Sequence, residues 1–281
     1  MHIYRINFLF LMLFATSNVF AAYYPTSSWE ISSPVDQQVR TDNVDALVNL
    51  AFLDDSTQVV VVIKNGRIIS EKYAEGYDKN SHGTSWSMAK SYYAALIGIS
   101  IDRGEIGGLD DKVGDYLTYF NDERSEITIR DLLDMSSGLD FPKDEHETMF
   151  FQEDHLKYAM GVGVEKSAGL KFEYNNVNSM LLGDILIATT GKKADELLKE
   201  RILDPIGVTD YKLWKDENGN VLTYCCVDMS ARDYSKIGLL FSRNGNWDGK
   251  QLISKQYIDE TFQVVWNITP ERFTTLKRGY S

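Results

Sequence analysis

From Ser87 to about Arg103 the chain has helical composition and turns apolar on nearly every face over its later turns (Ala94, Ala95, Leu96, Ile97, Ile99, Ile101). Such a helix has no face to give to water, so it must lie at the centre of a helical region with other elements packed around it. At 281 residues the chain is long enough for one large domain or two closely packed subdomains. Its 43% hydrophobic content supports a sizeable core.

Ahead of this helix, Val59-Val60-Val61-Val62-Ile63 and Arg67-Ile68-Ile69 flank Asn65-Gly66, a strong short-range hairpin signal that predicts the start of an antiparallel sheet. Behind it, Thr128-Ile129-Arg130-Asp131 reads as a capping box opening a short helix that Ser136-Ser137-Gly138 stops. Further helices are predicted over about 178–190, 194–202, 230–242 and 254–263. Ser230 and Asp233 cap the start of the third, and Asn244-Gly245 ends it. The stretch from Phe141 to about Lys171 is a long, acidic, aromatic loop suited to covering a cleft. One strand pair followed by helices is an α+β arrangement, in which strands elsewhere ought to complete the sheet.

Residues 1–21 read as a signal peptide: Arg5 precedes the apolar run Phe8 to Ala15, and Val19-Phe20-Ala21 offers a cleavage site. The mature chain then starts at 22, is periplasmic or secreted, and contains no stretch that could span a membrane. The formal charge of −12, without any run of Lys or Arg, argues against nucleic-acid binding. Cys225 and Cys226 are adjacent, so they make no disulfide framework. They read as small buried residues, with a vicinal disulfide or a bond to another chain as the lesser options.

Ser87-Met88-Ala89-Lys90 puts a hydroxyl and an amine on one face of a first helical turn. A serine hydroxyl needs a base to become a nucleophile, and a partly desolvated lysine can be that base. Backbone N–H groups at the helix start, that of Ser87 included, suit a tetrahedral oxyanion. The spacing alone fits a capped helix with a surface lysine better, but the helix is too apolar to be a surface element. Tyr174-Asn175-Asn176 supplies a phenol that can move a proton beside a cation, and an amide that can orient lysine and substrate. Tyr119-Phe120-Asn121 has the same pattern, but Tyr174 stands directly ahead of a buried helix; it could also serve only to pack that helix start.

Ser85-Trp86-Ser87-Met88-Ala89-Lys90-Ser91, Ile127 to Gly138, Phe172 to Asn176 and Ala231 to Gly238 resemble, in order, the landmarks of the serine β-lactamase-related family. That family includes class C β-lactamases, D-alanyl-D-alanine carboxypeptidases, esterases and 6-aminohexanoate-dimer hydrolase, and the last is the branch that Trp86 and the Arg232-Asp233 helix resemble most. The resemblance runs from about residue 55 to 265. It implies a β-lactamase/transpeptidase-like α+β fold, an antiparallel sheet plus a helical subdomain over 22–281. It also implies Ser87 as acylated nucleophile, Lys90 as its activator, Tyr174 as acid/base, and Asn176 and Trp86 as substrate-binding residues. The expected activity is hydrolysis of an ester, small amide or β-lactam in a small molecule or short peptide, with no cofactor and no metal.

The family's third motif, Lys/His-x-Gly on a strand nearer the C-terminus, is not found. The only His-Gly is His82-Gly83, and the sequence stops at Arg278-Gly279-Tyr280-Ser281. The expectation is a domain lacking its C-terminal sheet strands, of low stability because the hairpin would have few partners. That departure keeps a rival open, a non-catalytic member holding a peptide or acyl ligand in the same cleft. Asp144-Glu145-His146-Glu147 and Glu153-Asp154-His155 match no metal-binding spacing and read as solvated acidic loop, and Gly161-Val162-Gly163 is too short for a phosphate loop.

Overall fold

A computed structural model describes residues 22–140 and 148–266. Residues 1–21, read above as a signal peptide, the cluster Asp144 to Glu147 and the stretch 267–281 lie outside the described residues.

The hairpin forms as its sequence predicts. Strands β1 (Val59–Lys64) and β2 (Arg67–Tyr73) pair antiparallel across Asn65 and Gly66, with a bulge between Val62 and Ile63. Both turn residues have positive φ, 53° and 82°, as a two-residue turn between twisted strands requires. Ile31 bridges Ile68 in parallel on the other side of β2. Helix α1 (Thr41–Ala51), which sequence periodicity did not reveal, lays Val44 and Val48 on Ile69, Val60 and Val62.

Strand β3 (His82–Thr84) leads into a 3-10 turn, Trp86–Met88, and then α2 (Ala89–Asp102). Nine of the fourteen α2 residues are buried, which confirms the central position that its all-round apolarity demanded. It packs on α5 (Asn176–Thr190), also buried on most sides, and on α6 (Ala194–Leu198), which continues as a wider turn over Lys199–Leu203. Helix α3 (Ile129–Leu133), which packs on α5, opens with the predicted capping box of Thr128 and Asp131. The stretch read as a cleft-covering loop contains helix α4 (His155–Gly161), capped by Asp154 and packed on α5. That loop reading is corrected here: seven residues are too short to show helical periodicity among acidic neighbours.

β5 (Val227–Ser230) is the middle strand of a three-stranded antiparallel sheet, between β3 and β4 (Tyr211–Leu213). Ser230 then caps α7 (Ala231–Ser242), accepting from the Asp233 N–H. A short pair, β6 (Asn246–Trp247) with β7 (Lys250–Gln251), precedes α8 (Lys255–Thr261). The arrangement is α+β, but the described strands form three small sheets and the β1–β2 hairpin gains no third full strand among them. Large apolar side chains stay exposed near the end of α8, Phe262 and Val264 among them.

The landmark residues tie helices to sheets. The Arg232 guanidinium on α7 grips the Glu71 carboxylate on β2 with two hydrogen bonds, and holds that carboxyl below its ordinary pKa against the opposing effect of burial. The Tyr234 hydroxyl shares its proton between the carbonyls of Gly83 (2.9 Å) and Val227, joining β3 and β5. Buried Asn178 accepts from Ser137 Oγ at 2.7 Å and donates to the Leu132 carbonyl at 3.3 Å, fixing α5 to α3.

Candidate active site

Ser87 stands exposed at the end of a strand-to-helix elbow. The residue before it, Trp86, takes φ = +45°, a conformation that a bulky L-residue adopts only at a cost of roughly 1–3 kcal/mol and only where its surroundings enforce it. Those surroundings come from the β5 side. Ser85 N–H donates to the Val227 carbonyl at 2.8 Å, Val227 N–H donates to Ser85 Oγ at 2.9 Å, and Ser85 Oγ donates to the Trp86 carbonyl at 3.0 Å. Cys226 N–H donates to the same Trp86 carbonyl at 3.3 Å. The strain therefore sits beside the proposed nucleophile, and Trp86 itself is 62% exposed and reachable by a ligand.

Lys90 lies on the first turn of α2, and its Nζ donates to Ser87 Oγ at 3.1 Å and to the Tyr224 carbonyl at 2.6 Å. The ammonium is 4.8 Å from the centre of the Tyr174 ring and 5.7 Å from that of Tyr224. It is thus faced by a hydroxyl from the 3-10 turn that leads into its helix and by tyrosine rings from the segments preceding α5 and β5. Two ring faces attract a cation but solvate it poorly, and burial lowers the Lys90 pKa to about 7. At neutral pH a large share of the amine is then unprotonated and able to take a proton.

Of the five residues singled out from sequence, the structure brings Ser87, Lys90 and Tyr174 into one cluster, with Trp86 at its rim. Asn176 opens α5 next to Tyr174, and its Oδ1 is buried with no hydrogen-bond partner in the protein. Asn175 instead does structural work: its Oδ1 caps Val177 N–H at 2.9 Å and its Nδ2 donates to the Leu139 carbonyl at 3.2 Å. The competing Tyr119 donates its hydroxyl to Asp184 on α5 at 2.7 Å, a packing role.

Sequence reasoning missed Tyr224, because the group that holds Lys90 is a backbone carbonyl, which every residue possesses. Cys225 and Cys226 follow it directly. Both are buried as expected, but their sulfurs are joined as a vicinal disulfide, the option given less weight above. His155 corrects the reading of Glu153-Asp154-His155 as solvated loop: the residue is 3% exposed and its Nδ1 lies 3.0 Å from the Tyr224 hydroxyl. Among the described residues no cluster of His, Cys, Asp and Glu could hold a metal ion, and no helix is long and apolar enough to cross a membrane.

Residues 53–242 match the model of the Beta-lactamase family. The chain is 26% identical over 193 residues to a protein assigned as penicillin-binding protein PbpX in Bacillus subtilis, covering 65% of this chain and 49% of that one. It is 27% identical over 178 residues to the N-acetylmuramyl-L-alanine amidase of Bacillus subtilis, covering 53% and 40%. The chain thus spans about half the length, or less, of these relatives. Among solved structures, a protein assigned as a 6-aminohexanoate-dimer hydrolase from Bacillus anthracis superposes with a TM-score of 0.69 at 22% identity, over 79% of this chain and 62% of that one. The fold is β-lactamase/transpeptidase-like.

Proposed function

The chain belongs to the Beta-lactamase family, and from that membership we propose that it is a serine hydrolase working through an acyl-enzyme. Ser87 Oγ attacks the carbonyl of an ester, small amide or β-lactam while the neutral Lys90 amine takes its proton. The carbonyl π electrons move to the oxygen, where Ser87 N–H at the helix start stabilises the oxyanion. Collapse expels the alkoxide or amine, to which Lys90 and Tyr174 return a proton, and water repeats the sequence to release the acid. Asn176, whose buried Oδ1 is unpartnered, is free to engage substrate or lysine during turnover. Trp86 offers an apolar surface at the rim.

The single observation that carries this reading is the 3.1 Å hydrogen bond from Lys90 to Ser87 in a setting that leaves the amine with a pKa of about 7. We further propose that residues 1–21 direct export, that 22–281 form the hydrolase domain, and that the protein acts in the periplasm or outside the cell. A fluorescent serine-directed phosphonate tests the catalytic reading. It should label the wild-type chain and spare Ser87→Ala; equal labelling of both, or none of either, would favour a non-catalytic binding member.

A further inference from the structure

Lys90 rests on Tyr224, and Tyr224 rests on His155. The Tyr224 carbonyl takes the lysine's hydrogen bond at 2.6 Å and its ring faces the same ammonium at 5.7 Å, while its hydroxyl meets His155 Nδ1 at 3.0 Å. His155 is held in turn. Its backbone N–H donates to Asp216 Oδ2 at 2.9 Å, and that carboxylate is fixed by Asn220 through its side chain (2.9 Å) and backbone (2.8 Å). Phe150 covers the imidazole, ring centres 6.2 Å apart. We infer that His155 is a positioning residue for the proposed reaction, fixing through Tyr224 the carbonyl and ring that hold the Lys90 amine dry and aimed at Ser87.

The protonation states agree with this arrangement. Burial lowers the His155 pKa, outweighing the raising influence of Asp216, of the backbone at Gln152 and Phe150, and of Asp154. Burial raises that of the Tyr224 phenol, with Asp216 adding to it. A neutral imidazole has one accepting and one donating nitrogen, and in the tautomer we assign, with the proton on Nε2, Tyr224 O–H donates to Nδ1. Without that acceptor the buried hydroxyl is left unsatisfied, and the tyrosine must move to find water. Water admitted beside Lys90 would restore its preference for the charged form.

The inference rests on Ser87 and Lys90 acting as proposed, and its test separates the two. The rate of Ser87 acylation by a chromogenic ester is followed against pH for wild type, His155→Ala, His155→Asn and Tyr224→Phe. Asparagine keeps an acceptor near the Nδ1 position, and Tyr224→Phe deletes a single oxygen if His155→Ala does not fold. The expected result for His155→Ala and Tyr224→Phe is a loss of about tenfold in kcat with KM nearly unchanged, and an acid limb displaced to higher pH; His155→Asn should recover both. An acid limb in the same place for every folded variant, with only the amount of active protein changed, would overturn the inference. A wild-type chain that is never acylated would overturn the hydrolase reading beneath it.

Discussion

Ser85 and Val227 exchange two hydrogen bonds, Ser85 N–H to the Val227 carbonyl at 2.8 Å and Val227 N–H to Ser85 Oγ at 2.9 Å, across 142 residues of sequence. The pair joins the segment carrying Trp86 and Ser87 to the one carrying Tyr224 and Cys226. Ser85 thus contributes both its backbone and its side chain, beside the Cys226 N–H to Trp86 carbonyl bond, to holding Ser87 in register with the lysine cradle. Ser85→Ala leaves the buried Val227 N–H without a partner, at an expected cost of about 1–3 kcal/mol. It should also slow acylation more than a substitution of equal stability cost far from the elbow. Urea unfolding and acylation rates measured together check this.

The strained elbow makes a second prediction. At φ = +45° any residue with a Cβ is penalised and glycine is not. Trp86→Gly should be more stable than Trp86→Ala by about 1 kcal/mol, the reverse of the order in ordinary backbone. Both should bind ester substrates more weakly than wild type. Equal stabilities of the two variants would mean that the turn relaxes in solution.

In the proposed mechanism Lys90 governs the pH dependence. The amine must be neutral to accept the serine proton, so acylation should rise with pH through a midpoint of about 7. Lys90→Arg keeps the charge at every accessible pH and should lose about 10²–10⁴ in rate. A rate limb absent near neutrality in the wild-type protein would show that another group takes the proton.

The same group sets a stability trend. Its pKa is lower in the folded chain (about 7) than in the unfolded one (about 10.4, an ordinary lysine), so between those values the unfolded state binds more protons. The Lys90 contribution to stability then rises with pH across that window and is least favourable below it. Lys90→Met should abolish activity yet raise stability, by more at acid than at alkaline pH. Denaturant midpoints of both proteins across pH measure the difference.

What could be read from sequence was what local spacing encodes. Asn65-Gly66 fixed the hairpin turn, Thr128 to Asp131 the capping box, and Ser87 with Lys90 share one face because three residues of a helical turn bring them together. The Tyr174 choice over Tyr119 followed from the buried helix behind it, and its ring does lie against Lys90. Helix α4 and the His155 to Tyr224 contact were not legible. The helix is two turns long, and the contact joins residues 69 positions apart. The Tyr224 carbonyl leaves no trace in a residue type, and the positive φ of Trp86 contradicts what its side chain prefers. Both are imposed by tertiary packing around Ser87.

The central claim is that Ser87 forms an acyl-enzyme, and peptide mass mapping after a brief reaction with a chromogenic ester or cephalosporin tests it most directly. The account predicts a stoichiometric acyl mass increment on the peptide containing Ser87, absent in Ser87→Ala and slow to form in Lys90→Arg. An increment on another residue, or an unmodified chain after prolonged exposure to both substrates, would contradict it.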